Sequence, residues 1–203
     1  MNIYQQLLGQ DFQLMHPMLQ KRYLFADNEP FEATGVMENI HSKKWLSIFL
    51  RLSTKWKFLF PEHGGNIPFS IRNSVQSGTN NAQEIHWQRS FYFPKVTRHF
   101  NALMSIDPDK KVVKDYLGEP HLFYSDLNFQ VAQDGRLFIH SGRQKLVVGK
   151  LEIPLPRWME GRVEVEEGYD DFRNVYTIQV SITNSIIGRL IAYEGYFKSK
   201  TSS

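Results

Sequence analysis

The 203-residue chain contains no cysteine. That excludes disulfide staples, thiolate nucleophiles and cysteine-ligated metals. It fits a reducing compartment, so a cytoplasmic protein is expected. Long apolar runs are also missing, and without 18 consecutive apolar residues no transmembrane segment is expected. The opening Met1-Asn2-Ile3-Tyr4 lacks the basic-then-apolar layout of a signal peptide. An excess of one charge is nearly absent: 24 Lys and Arg against 21 Asp and Glu leave +3. That is too little for a nucleic-acid footprint, and no nucleic-acid partner is expected. Neither a Gly-x-Gly-x-x-Gly run, a Gly-Lys-Ser/Thr phosphate loop nor a Gly-x-Ser-x-Gly elbow occurs. The seven histidines (16, 41, 63, 86, 99, 121 and 140) all lie more than ten residues apart, so no local metal pair forms. No metal and no cofactor are expected.

Aromatic residues are plentiful, with 15 Phe, 9 Tyr and 4 Trp. Such side chains suit wide pleated sheets and apolar pockets. The most informative stretch is 84–104. Ile85, Trp87, Arg89, Phe91 and Phe93 alternate, so a strand places them on one face. Pro94 interrupts the ladder. Val96, Arg98, Phe100, Ala102 and Met104 then repeat the pattern. Two successive segments thus each aim a guanidinium at an apolar face. An inward arginine must find an acid, a carbonyl, water or an anionic ligand. Two readings stand open: an internal ion pair with an acid such as Glu164 or Glu194, or a clamp for a carboxylate or phosphate head group.

Residues 2–24 carry apolar positions at helical spacing, and Gly9 and Pro17 divide them into two short helices. Residues 31–41 alternate as a first strand in which Gly35 allows a bulge. Residues 43–60 form a second helical region, with Trp45, Phe49, Leu52, Trp56 and Leu59 as its stripe. Five basic residues and no acid occur there. Lys44, Arg51 and Lys55, with Trp45 and Trp56, are the candidates for contact with a membrane surface or a protein partner. The plainer reading is a helix covering one end of a sheet.

Beyond Pro61 the pattern is all strand: near 66–77, 83–93, 96–106, 111–117, 121–132, 136–141, 144–153, 161–168, 174–184 and 187–198. Asp134-Gly135 is the strongest hairpin signal. Short turns make neighbouring strands antiparallel. The expected fold is one α+β domain over 1–198 with a loose tail at 199–203. It is a strongly curved antiparallel sheet or open β-barrel of about 8–10 strands, with two or three N-terminal helices packed on it. Pro154 and Pro156 mark a rigid crossing, and Trp158 is a candidate cap for the barrel mouth. The acidic group Glu164, Glu166, Glu167, Asp170 and Asp171 reads as a solvated hairpin.

Several short motifs together carry a resemblance. They are Tyr4-Gln-Gln-Leu-Leu-Gly9 with Phe12 and His16-Pro17, Trp87-x-Arg89-x-Phe91, Arg98-x-Phe100 and Gly118-x-Pro120. Ile153-Pro154-Leu155-Pro156 and Gly188-x-Leu190 with Tyr193-Glu194-Gly195-Tyr196 complete the set. The chain resembles a bacterial domain-of-unknown-function family, number four-one-six-six, over nearly its whole length. That family has no agreed activity, and no catalytic residues carry over. Some members are appended to a nucleotide-dependent oxidoreductase of the short-chain or saccharopine-dehydrogenase type. The resemblance therefore implies a stand-alone accessory or substrate-holding module and, by analogy, an oxidoreductase partner.

Three functions follow, in this order. The first is a binding module for an apolar or lipid-like small molecule with an acidic head, anchored at Arg89 or Arg98. Trp87, Phe91, Phe93 and Phe100 would wall its pocket, with Tyr193 and Glu194 nearby. The second is an interaction module working through the basic helix 43–60. The third is a catalyst using arginine, histidine, Glu194 and Tyr193; no nucleophile–base pair is visible in the sequence for it.

Overall fold

The computed structural model describes residues 2–24, 29–43, 47–78 and 83–200. Twelve strands occur among them. In chain order they are β1 (Phe31–Ser42), β2 (Gly64–Ser77), β3 (Gln83–Phe93), β4 (Val96–His99), β5 (Ala102–Asp107) and β6 (Val112–Leu117). There follow β7 (Phe123–Val131), β8 (Leu137–Val148), β9 (Leu151–Pro154), β10 (Gly161–Asp170), β11 (Val175–Asn184) and β12 (Gly188–Ser199). Ten of them form a ring in the order β10-β11-β12-β1-β2-β3-β5-β6-β7-β8. Antiparallel pairing of β10 with β8, from Glu164↔His140 to Glu167↔Leu137, closes it. The sheet is therefore a closed barrel, and closure removes the edges an open sheet would expose. β4 pairs with β3, and β9 with β8, outside the ring.

Alternation places the core. On β11, Tyr176, Ile178, Val180 and Ile182 are buried at every second position. On β3 the same is true of Ile85, Trp87 and Phe91, with half-buried Arg89 between them. Two glycines let β1 and β12 approach closely. A Cβ on Gly35 would lie 2.0 Å from the Tyr196 carbonyl oxygen, and one on Gly195 would lie 2.2 Å from the Val36 carbonyl oxygen. The register shifts nearby, between Met37 and Asn39, the bulge that Gly35 suggested. The Asp134-Gly135 turn joins β7 to β8.

The two barrel ends are covered differently. At one end sit α1 (Ile3–Leu8), a 3-10 turn over Gly9–Leu14 and α2 (Pro17–Tyr23). The Asn2 side chain accepts the Tyr4 N–H at 2.8 Å and so caps α1. His16 caps α2 by accepting from the Met18 N–H at 3.2 Å, with Pro17 at the first helical position. Ile3, Tyr4, Phe12, Met15, Leu19 and Tyr23 are buried in this plug. Each contributes about 1.5–3 kcal/mol by leaving water.

The other end is covered by α3 (Ser47–Ser53), a 3-10 turn over Thr54–Trp56 and the segment after it. The helix expected over 43–60 is shorter because Lys57 takes a left-handed conformation (φ 49°). That reversal turns Phe58, Leu59 and Phe60 into the core instead of continuing the stripe. Two other boundaries moved. The strand expected over 96–106 splits because the Phe100 and Asn101 N–H groups bond the carbonyls of Arg89 and Lys57. β8 runs unbroken to Val148, and Gly149 (φ 63°) makes the turn into β9. At the C-terminal side β12 includes Ser199, and the Lys200 N–H donates to the Glu32 carbonyl.

Candidate functional site

A cavity of about 150 Å³ lies inside the barrel. Its wall is supplied by β3, β5–β8 and β10–β12, and its cover by Phe58, Leu59, Leu155 and Met159. β1 and β2 do not reach it because aromatic rings fill that half of the interior. Phe91 packs against Phe60, Phe69 and Tyr193 with ring centroids 4.9, 5.1 and 5.5 Å apart. The lining is mostly apolar.

Three polar groups stand out against this lining. Arg89 donates from Nε to the Phe100 carbonyl at 3.0 Å, and its guanidinium carbon lies 4.2 Å from the Phe100 ring centroid. Asp115 is buried, and its Oδ1 has no hydrogen-bond partner. Burial pushes its carboxyl up to about 7, with the Arg89 charge pulling the other way. The Tyr193 hydroxyl is buried without a hydrogen bond of good geometry. Burial raises its pKa too, and Arg89 again opposes the rise. One cation therefore serves two acids, Asp115 through its charge alone and the Tyr193 hydroxyl through its charge and a loose hydrogen bond. A carboxyl poised near neutrality can donate a hydrogen bond when protonated and accept a proton when not.

The cavity floor meets the helical plug. Glu167 reaches the wall, and its carboxylate takes Arg22 Nη2 at 3.0 Å and the Tyr23 hydroxyl at 2.9 Å. Beside it Trp87 donates from Nε1 to the Tyr4 hydroxyl at 3.1 Å.

Comparison with known proteins fits this barrel into a family. The family model described as "Domain of unknown function (DUF4166)" matches residues 15–197. The chain belongs to the DUF4166 family. It is similar to the "Uncharacterized protein YndH" of Bacillus subtilis (strain 168), 38% identical over 191 residues, which cover 94% of this chain and 93% of that one. No solved structure matches.

In this DUF4166 barrel the residues singled out from the sequence part company. Arg89, Trp87, Phe100 and Tyr193 converge on the cavity. Phe91 and Phe93 are core filling, packed on Phe60 rather than on the open space. Arg98 lies on β4, outside the ring, and grips Glu62 with two bonds of 2.8 and 2.6 Å. Glu194 faces outward and accepts from Asn39 at 2.8 Å. The ion-pair reading of the arginines thus describes Arg98, though with Glu62 rather than Glu164 or Glu194.

On the covering helix, Arg51 and Lys55 are exposed and Trp56 is half-buried, while Leu50 is buried against the barrel. Lys44 and Trp45 lie outside the described residues. Lys57 pairs with Glu119, which also takes His86 at 2.8 Å and Asn101 at 2.9 Å. Burial would raise the Glu119 carboxyl, but these three donors outweigh it and hold the pKa at about 2.

The acidic run at 164–171 is not uniformly solvated. Glu167 is buried while Glu164 is exposed. Arg22, Asp115 and Gln144 drew no notice in the sequence. A usable signal existed for one of them, since Asp115 alternates with Val113 and Leu117; the same signal marks Glu167, which alternates with Val163 and Val165.

Proposed function

We propose that the barrel binds a small apolar molecule carrying an acidic head group, held at Arg89. The observation that carries this is the polar set within an apolar wall: Asp115 Oδ1 lacks a partner, the Tyr193 hydroxyl has only a loose hydrogen bond from Arg89, and the Arg89 charge acts on both. Each unpaired buried polar group costs about 1–3 kcal/mol. A carboxylate seated there accepts hydrogen bonds from the Arg89 fork, from protonated Asp115 and from the Tyr193 hydroxyl together. The low dielectric of the wall strengthens each contact.

Size limits the ligand. A space of about 150 Å³ is that of a benzene-sized body, below the ordinary range for ligand pockets. A benzoate-like acid fits it; a longer acyl chain must leave between Leu155 and Met159. The test uses benzoate and octanoate in titration calorimetry, with native mass spectrometry for any co-purified acid. Replacing Arg89 by Met should weaken both acids more than about tenfold, the loss of one charge-assisted pair. Equal affinity in wild type and Arg89→Met removes Arg89 as the anchor.

A further inference from the structure

The inner face of the barrel does not stop at its rim. Phe123 lines the cavity, and its cross-strand partner is Leu146. Paired residues share a face. Leu146 in turn opposes Ile153, and Val148 opposes Leu151. The cavity side of β8 therefore continues beyond the ring as an apolar tongue on the β8–β9 hairpin. There Val148, Leu151 and Ile153 are 52%, 67% and 50% exposed. The opposite face of the hairpin is mixed, with Lys145 bonded to Glu152 at 2.7 Å beside Val147 and Pro154.

The chain then folds back across the cavity mouth. Gln144 bonds both the N–H and the carbonyl of Gly161, which fixes the two ends of the excursion. Leu155 and Met159 line the cavity from this segment, while Trp158 and Met159 also face solvent. Asn184 donates to the Trp158 and Glu160 carbonyls and accepts from the Ile186 and Ile187 N–H groups. It thereby sets the β11–β12 turn beside the loop, and Ile186 at its tip is 72% exposed. The result is a continuous apolar rim with a tryptophan in it. Around it Arg143, Lys150, Arg157 and Arg189 are exposed and in no ion pair among the described residues. Glu160 and Asp126, which packs beside Gly142, stand against them, while Glu152 is held by Lys145 and Tyr116.

We propose that this rim docks on an anionic lipid bilayer, with the β8–β9 tongue and Trp158 entering the interface and the four cations resting on the head groups. Exposed Leu, Ile and Trp side chains encircled by Lys and Arg are the composition that lies at a membrane surface. Charge complementarity selects the anionic bilayer, because each cation there gains from negative lipid head groups within a Debye length. The surface uses none of the Arg89 group, so it stands or falls apart from the ligand reading.

The test is sedimentation of the full chain with vesicles of equal phosphatidylglycerol and phosphatidylcholine, and with phosphatidylcholine alone. Binding is expected on the mixed vesicles, weaker by more than about tenfold on the neutral ones and in 0.5 M salt. Leu151→Ser with Ile153→Ser, and separately Lys150→Glu with Arg157→Glu, should each weaken it more than about tenfold. These side chains are exposed, so the variants should keep the wild-type thermal transition. Brominated lipid should quench tryptophan emission in wild type and not in Trp158→Phe. Arg51→Glu, on α3, should leave the binding unchanged. No binding to the mixed vesicles, or wild-type binding by the rim variants, overturns the proposal.

Discussion

Arg22 of α2 and Glu167 of β10 form an ion pair 3.0 Å long in which each side chain is 1% exposed. It fastens the helical plug to the barrel wall. Arg22 Nε and Nη1 make no hydrogen bond; instead the guanidinium carbon lies 4.6 Å from the Phe197 ring centroid and 5.4 Å from that of Phe31. Aromatic faces partly replace the missing acceptors.

Removing one member strands the other. Arg22→Met leaves the Glu167 carboxylate buried with Tyr23 alone, which should cost about 3–5 kcal/mol. For a chain of this size the melting temperature should fall by roughly 10 °C. Arg22→Met with Glu167→Met should recover more than half of that loss. Scanning calorimetry of the two variants decides it.

Asp115 should impose a pH dependence of definite sign. Its folded pKa of about 7 exceeds the ordinary aspartate value of 3.8. Between those values the native state holds a proton that the unfolded chain has released. The group's contribution to stability is therefore largest below about pH 4, declines through the interval and levels off above 7. Asp115→Asn should match wild type at pH 4 and be more stable at pH 8, by a few kcal/mol at most. Urea unfolding at both pH values measures this, and equal stability at pH 8 would falsify the buried, uncompensated carboxylate.

Glu119 works in the other direction. Its folded pKa of about 2 lies below 4.5, so its stabilisation is present above pH 4.5 and fades as the pH drops towards 2. Partial exposure makes the effect modest, about 1 kcal/mol after screening. Glu119→Gln should lose that roughly 1 kcal/mol at pH 7 and match wild type near pH 2, which urea unfolding at the two pH values measures.

Two glycine substitutions separate crowding from backbone strain. Gly35→Ala puts a methyl into the β12 backbone and should cost about 3 kcal/mol or more. Gly149→Ala has open space around it and pays only for its positive φ, about 1 kcal/mol. Chemical denaturation of both variants gives the comparison.

The two arginines of the central stretch should behave differently. Arg98→Met breaks a half-exposed pair with Glu62 and should leave benzoate affinity unchanged. Arg89→Met should lose it. Titration of both variants with the same acid distinguishes an anchor from a surface pair.

Much of the architecture was written locally. The alternation of Ile85, Trp87 and Phe91, the Asp134-Gly135 turn and the split of the N-terminal helix at Gly9 and Pro17 are short-range signals, and each appears where the pattern placed it. The site was legible in part. Arg89 and Trp87 share a face because strands alternate, and Phe100 joins them from the break between β4 and β5. Phe91 shares that face too, yet Phe60 arrives from a distant segment and fills the space beside it.

By itself the sequence determined a curved antiparallel sheet with a helical N-terminus and an inward arginine, because periodicity of two and turn chemistry act over a few residues. Tertiary structure alone decided that β10 meets β8 and closes the ring, that Asp115 and Tyr193 gather at Arg89, and that Arg98 falls outside. Those outcomes depend on which segments meet across more than twenty residues of chain, and pairing at that distance leaves no local pattern to read.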